Sequence, residues 1–185
     1  PEELLWPLLS AGFTSLCYDG QFFFDVDHPV LDAAGTAQSV SNTGGGAGTA
    51  WFLIDATRAM KPLIYQTRRA FEMVRMDAAT DEVVFNRKEY RYGVEGRSNA
   101  GYGFWQLAYG SRQALDATTY AAARAAMLGL RGDYGRPLGI TPSLLVVPPS
   151  LESAGRGILE AERNAAGATN IWRNTADLMV VPWLS

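Results

Sequence analysis

Two side chains that do much of enzyme chemistry are nearly missing from these 185 residues: there is one cysteine, Cys17, and one histidine, His28. A single cysteine rules out an intrachain disulfide and a thiolate metal cluster, and it suits a reducing compartment. A catalytic triad, a His-rich zinc site or a Cys/His dyad would each have to pass through His28. Lysine is almost absent too, with only Lys61 and Lys88, so arginine carries nearly all the positive charge. Arginine offers planar, multi-donor groups that suit bidentate carboxylate pairing. No basic excess exists: 16 basic residues stand against 19 acidic ones, for a net charge of −3. Proteins that hold nucleic acid by counterion release need a basic face, so DNA binding is not the default reading. The longest apolar stretch, Leu144 to Pro149, is far too short to cross a bilayer, and no signal-peptide pattern opens the chain. What remains is an ordinary globular composition, 48% hydrophobic and 19% charged. A chain of this length buries roughly 70% of its unfolded surface and folds without metals or crosslinks.

The pattern along the chain predicts an α+β fold. Residues 2 to 11 carry Leu4, Leu5, Leu8 and Leu9 at helical spacing, with Gly12 as the stop and Pro7 as a kink point. The opening at Pro1, without a methionine, reads as the last turns of a longer helix. Asp19-Gly20 signals a hairpin between Leu16-Cys17-Tyr18 and Phe22-Phe23-Phe24. Residues 33 to 50 are rich in Gly, Ser, Thr and Ala, and predict a flexible loop. Strands are expected at Trp51 to Ile54, Leu63 to Thr67, Phe71 to Met76, Val83 to Phe85 and Tyr90 to Val94. Tyr102 to Tyr109 reads as a further buried or interfacial strand. Beyond Ser111 the order is helix, strand, helix, strand. Asp116 is the expected N-cap of a helix over 117 to 130, Ser143 to Val147 a strand, Pro149 to Arg163 a helix and Leu178 to Trp183 a last strand.

Each catalytic motif has a plainer alternative. The run Gly44-Gly45-Gly46-Ala47-Gly48 leads to Thr49-Ala50-Trp51, whereas a phosphate loop needs Lys followed by Ser or Thr at a helix start. A Cys17 nucleophile served by His28, oriented by Asp25 or Asp27, defines a hydrolase reading; against it, His28-Pro29 marks a turn and Cys17 is a small buried hydrophobe. The carboxylate neighbours Asp81-Glu82 and Glu160 with Glu162 fit a solvated face better than a glycosidase pair across a cleft. Arg58, Arg68, Arg69, Arg75, Arg97 and Arg112 fit a phosphate patch or an assembly interface, because acidic residues interleave with them. Trp51, Phe104 and Trp105 are read as core or interface packing, and the aromatic run around them also leaves room for a small-ligand module.

Read in order, several segments resemble the Mu-like phage major head subunit family. They are Gly12-Phe13-Thr14, Cys17-Tyr18-Asp19-Gly20-Gln21, Phe23-Phe24-Asp25, His28-Pro29, Lys61-Pro62, Gln66 with Arg68-Arg69, and Ala100-Gly101-Tyr102-Gly103-Phe104-Trp105-Gln106. Leu138-Gly139, Pro142, Val146-Val147-Pro148 and Leu151-Glu152 complete the set. The resemblance implies the tailed-phage major capsid fold of the Hong Kong ninety-seven type. It would comprise an axial (A) domain and part of the peripheral (P) domain, with the N-terminal arm, the extended loop and most of the spine helix missing. Residues 1 to 111 would be mainly peripheral and 112 to 185 axial. The implied function is structural, a subunit of the icosahedral shell that encloses phage DNA, with an encapsulin-like compartment shell as the alternative. No enzymatic activity, cofactor, metal or membrane is implied. The implied partners are copies of the chain, then scaffold, portal and decoration proteins, with DNA held only non-specifically. The expected location is the virion, assembled in the bacterial cytoplasm. Arg58, Arg68, Arg69, Arg97 and Trp105 are the expected intersubunit contacts. The lysine-to-asparagine crosslink of some relatives has no counterpart motif here.

Overall fold

The computed structural model describes residues 2 to 184 and contains protein alone. Pro1, with which the expected helix opens, lies outside the described residues. Glu2–Leu5 (α1) and Pro7–Ala11 (α2) form two short helices that break at Trp6, next to the proline. The Asp19-Gly20 turn forms as expected, with Gly20 at φ +85° and a bridge between Leu16 and Phe22.

The stretch expected to be a flexible loop is instead built into sheets. His28–Leu31 (β1) and Ala37–Val40 (β2) form an antiparallel hairpin, and Thr43–Gly46 (β3) runs parallel to Ala108–Arg112 (β7). The glycines explain the difference. Gly46 has φ +94°, and a Cβ there would lie 2.5 Å from the Arg112 backbone. A glycine-rich segment can approach another strand this closely where a side chain cannot.

Trp51–Ile54 (β4) is buried along its whole length, which suits a central strand covered on both faces. It pairs antiparallel with β7 on one side and with Leu144–Val147 (β8) on the other, and β8 pairs parallel with Asp177–Val180 (β9). The mixed sheet therefore has the order β3-β7-β4-β8-β9. Ala117–Leu128 (α4) buries Tyr120, Ala123 and Met127, one helical face. Its N-terminus is the expected one: Asp116 accepts hydrogen bonds from the Thr118 and Thr119 amides, and Thr119 reciprocates as a capping box. Glu152–Leu159 (α5) buries Ile158 and Leu159, and Gly155 lets the Leu178 side chain of β9 lie where a Cβ would be 2.7 Å away. This helix is shorter than expected, because Pro149–Leu151 forms a 3-10 turn before it.

The second unit, residues 65 to 100, consists of most of a long antiparallel ribbon and one helix. The two strands expected at 63 to 67 and 71 to 76 are one, Leu63–Met76 (β5), and it pairs with Arg91–Tyr102 (β6). Val83 to Phe85, expected as a strand, lies in the helix Glu82–Arg87 (α3), which ends at Lys88 with φ 57°. Three apolar residues in a row do not distinguish helix from strand. The boundary expected at residues 111 and 112 falls inside β7, and the five-stranded sheet takes strands from both sides of it. The fold's own division separates 65 to 100 from 2 to 64 together with 101 to 184.

Candidate functional site

The chain's only histidine and only cysteine meet around one carboxylate. Cys17 and Asp19 sit on either side of the turn at Tyr18, and His28 begins β1. The Cys17 thiol donates to Asp19 Oδ1 at 3.0 Å, and His28 Nδ1 lies 2.7 Å from Asp19 Oδ2. The His28 ring is fully buried and stacks on Trp105, with centroids 3.9 Å apart and planes 9° from parallel. On its far side, Nε2 lies 3.2 Å from the Asn42 side-chain oxygen. Asn42 is buried and joins four segments. Its amide nitrogen donates to the carbonyls of Phe23, Trp105 and Ala108, and its oxygen accepts from the Asp25 amide.

This arrangement does not form a nucleophile–base dyad. The thiol points at a carboxylate rather than at the imidazole. Burial, and then the hydrogen bond to Asp19, push the Cys17 thiol up to about 11, so it is protonated at neutral pH. Burial raises the Asp19 carboxyl, but hydrogen bonds from Cys17, His28 and the Gln21 amide outweigh that and hold it below the ordinary carboxylate range. Both of its oxygens are committed. Asp25 and Asp27, the expected orienters, do not contact His28; Asp25 accepts from the Phe22 amide and Asp27 from the Ser39 hydroxyl. A cleft of about 550 Å³ touches Asp19 and Trp105, but neither Cys17 nor His28 lines it.

The remaining candidates separate. Glu160 pairs with Arg156 and Glu162 with Arg173, on exposed side chains, while Asp81 accepts from the Ala78 amide. No carboxylate pair faces another across a cleft among these residues. Arg58 is engaged within its own chain: it contacts Asp55 and donates to the carbonyls of Leu138 and Gly139. Trp51 and Trp105 are core residues, Trp105 being 1% exposed, so Trp105 is not available as a contact surface on this unit; Phe104 is exposed. Arg68, Arg69 and Arg97 are exposed on the ribbon, where Arg69 pairs with Glu95 and Glu72.

The ribbon itself carries the feature that the sequence reading missed. The Phe71 ring lies over Gly96, where a Cβ would be 2.4 Å from it, so these two residues share a face. Strand alternation adds Met73, Tyr92 and Val94 to that face, along with Arg69 and Arg75, while the exposed Val74 falls on the other. Phe71, Met73, Tyr92 and Val94 are 69%, 67%, 62% and 66% exposed. Glu72, Glu95 and Arg97 lie on the opposite face by the same alternation. The signal was present in the sequence as period-two spacing, split between two strands far apart in the chain.

The family profile described as Mu-like prophage major head subunit gpT matches residues 1–184. The chain belongs to this family. Over 171 residues it is 46% identical to the Mu-like prophage FluMu major head subunit of Haemophilus influenzae, covering 89% of this chain and 56% of that one. It is 40% identical over 177 residues to the major capsid protein of Escherichia phage Mu, covering 92% of this chain and 58% of that one. The chain thus spans a little under three-fifths of the length of these curated relatives. Among solved structures, it is similar to a chain in the procapsid of bacteriophage JBD30, with a TM-score of 0.86 and 45% identity over 99% of this chain and 63% of that one. A chain of the JBD30 capsid superposes with a TM-score of 0.83 at 24% identity, over all of this chain and 63% of that one, which adds a likeness of fold. The α+β architecture is therefore that of the tailed-phage capsid proteins. No helix among the described residues is long and apolar enough to cross a membrane.

Proposed function

We propose that this chain forms part of a phage-head major capsid subunit, many copies of which close into an icosahedral shell around DNA. The observation that carries this reading is the apolar face of the ribbon in a chain of capsid-protein fold. An isolated two-stranded hairpin is marginal in water, and here four large apolar side chains on one face are more than half exposed. Burying each contributes about 1.5–3 kcal/mol, or about 6–12 kcal/mol for the four before ordering costs. Weak contacts of this kind, repeated over a closed lattice, reinforce one another through effective concentration.

In this reading the ribbon packs on neighbouring copies, with Arg68, Arg69 and Arg97 pairing with carboxylates at its margins. Arg58 and Trp105 support the fold from within. The peripheral and axial regions share the five-stranded sheet. The role is structural: the Cys17–His28 cluster lacks an activated nucleophile, and no cofactor is required. The JBD30 capsid is decorated with minor capsid protein trimers, and we extend such decoration to this subunit, together with scaffold and portal partners. The packaged DNA is held without sequence preference, as the net charge of −3 suggests. Assembly takes place in the host cytoplasm and the product resides in the virion.

The test is a double substitution, Phe71→Asp with Val94→Asp, in the intact head protein expressed with its assembly partners. Surface changes of this kind alter subunit stability by less than about 0.5 kcal/mol. Shell yield by sedimentation is expected to collapse while the melting temperature of the subunit holds. Wild-type yield would overturn the assignment of this face.

A further inference from the structure

The cluster around Asp19 gathers a thiol, a carboxylate and an imidazole within metal-ligand reach of one another. Asn42 cannot be turned end over end: its amide nitrogen meets three backbone carbonyls, those of Phe23, Trp105 and Ala108, and an oxygen there would oppose all of them. The Asn42 oxygen therefore faces His28 Nε2, and that nitrogen must carry a hydrogen. The other nitrogen, Nδ1, lies 2.7 Å from Asp19 Oδ2, a hydrogen-bond distance, so a cation that takes both groups as ligands would replace the proton between them and widen the contact.

Cys17 supplies a third ligand atom. Its sulfur lies 3.0 Å from Asp19 Oδ1, and the sulfur, a carboxylate oxygen and a ring nitrogen of His28 all lie within 4.8 Å of one another. One thiolate, one imidazole and one carboxylate make a ligand set for zinc-type ions, with bonds of about 2.0–2.3 Å and a fourth position for water. The surroundings supply what such a site requires. The Nε2–H of His28 donates to the Asn42 carbonyl, the outer-shell contact that fixes the tautomer of a metal-bound histidine. Trp105 stacks on the ring and sets its plane. Of the three ligands, Asp19 alone lines the neighbouring cleft, so an ion would reach the site from the carboxylate side.

We propose that Cys17, Asp19 and His28 bind one divalent transition-metal ion of the zinc type, with Asn42 as the outer-shell residue. On binding, metal–sulfur and metal–nitrogen bonds form, the thiol proton and the Nδ1 proton leave to solvent, and the metal keeps its oxidation state. The ion ties the turn at Asp19 to β1 and so clamps the segment that precedes the sheet. This inference is independent of the shell-forming role.

The test adds Co²⁺ and Zn²⁺ separately to the reduced full chain at pH 8. Saturable binding of one equivalent is expected, with a cobalt–thiolate charge-transfer band in the near ultraviolet that Zn²⁺ displaces. Cys17→Ala is expected to abolish the band, and Asp19→Asn to weaken binding by more than about tenfold. Cys17 is only partly buried, so its variant keeps the fold, which circular dichroism checks. Histidine ¹⁵N spectra give a second readout, in which added Zn²⁺ removes the Nδ1 proton while Nε2 stays protonated. The proposal is overturned if no charge-transfer band appears, if Cys17→Ala binds as tightly as the parent, or if His28 keeps both protons at saturating Zn²⁺.

Discussion

Replacing Asn42 with alanine tests whether the Gly/Ser/Thr-rich segment is ordered as described. The side chain makes hydrogen bonds to the Phe23 carbonyl at 2.8 Å and from the Asp25 amide at 2.9 Å, and faces His28 Nε2 at 3.2 Å, with two longer contacts to Trp105 and Ala108. Alanine leaves all of these partners in the interior with nothing in exchange. Three buried groups are orphaned at about 1–3 kcal/mol each, the two long contacts cost little, and single substitutions rarely exceed about 5 kcal/mol, so a total of about 3–5 kcal/mol is expected. For a chain of this size, each kcal/mol moves the melting temperature by about 2–4 °C, so a fall of about 6–20 °C is expected. Thermal and urea melts followed by circular dichroism and tryptophan fluorescence measure it. Asn42→Asp refines the test. A carboxylate cannot donate to the three carbonyls, so this variant is also expected to lose stability at neutral pH, and to recover part of it as the new carboxyl protonates. A loss below about 1 kcal/mol for Asn42→Ala would refute the reasoning, because such a small effect belongs to an exposed, mobile side chain.

Three further outcomes follow from neighbouring features. Gly46→Ala meets both a positive φ and the Arg112 backbone, and is expected to cost at least about 2 kcal/mol in urea melts, whereas Gly45→Ala has open space and is expected to cost only about 1–2 kcal/mol. With its thiol raised from 9.0 to about 11, Cys17 is expected to be alkylated by iodoacetamide about 100-fold more slowly at pH 7 than an unperturbed cysteine in the same assay; rapid alkylation would restore the hydrolase reading. Burial raises the Asp55 carboxyl, but hydrogen bonds from Thr57, Thr141 and Arg58 outweigh it and hold it below its ordinary range. Asp19 and Asp116 are also lowered, so these groups stabilise the fold above the unfolded carboxylate value of about 3.9 and cease to do so as pH falls through their lower folded values. Melting temperature is therefore expected to hold from neutrality to about pH 5 and to drop below about pH 4, with a shallower drop in Asp55→Asn.

Local features were legible in the sequence and contacts distant in sequence were not. Asp116 announced its helix because a cap acts within three residues, and Trp51 to Ile54 announced a strand, which the structure buries along its whole length. Gly44 to Gly46 read as a loop by composition, yet they form a strand because β7 passes too close for side chains. Asn42 went unnoticed for the same reason: its partners are 14 to 66 residues away in the chain. Trp105 was expected in a strand and lies in a 3-10 turn that sets its ring on His28. The pairing of Cys17 with Asp19 and His28 was visible only as proximity on a hairpin. Its chemistry came from burial and from the direction in which the thiol points.

The shell-forming role is tested most directly by cryo-electron microscopy of particles made from the intact head protein that contains this segment. The account predicts closed icosahedral shells in which this fold repeats at every lattice position, with Phe71, Met73, Tyr92 and Val94 covered by a neighbouring copy. Particles whose lattice lacks this fold, or in which that face of the ribbon remains open to solvent, would contradict it.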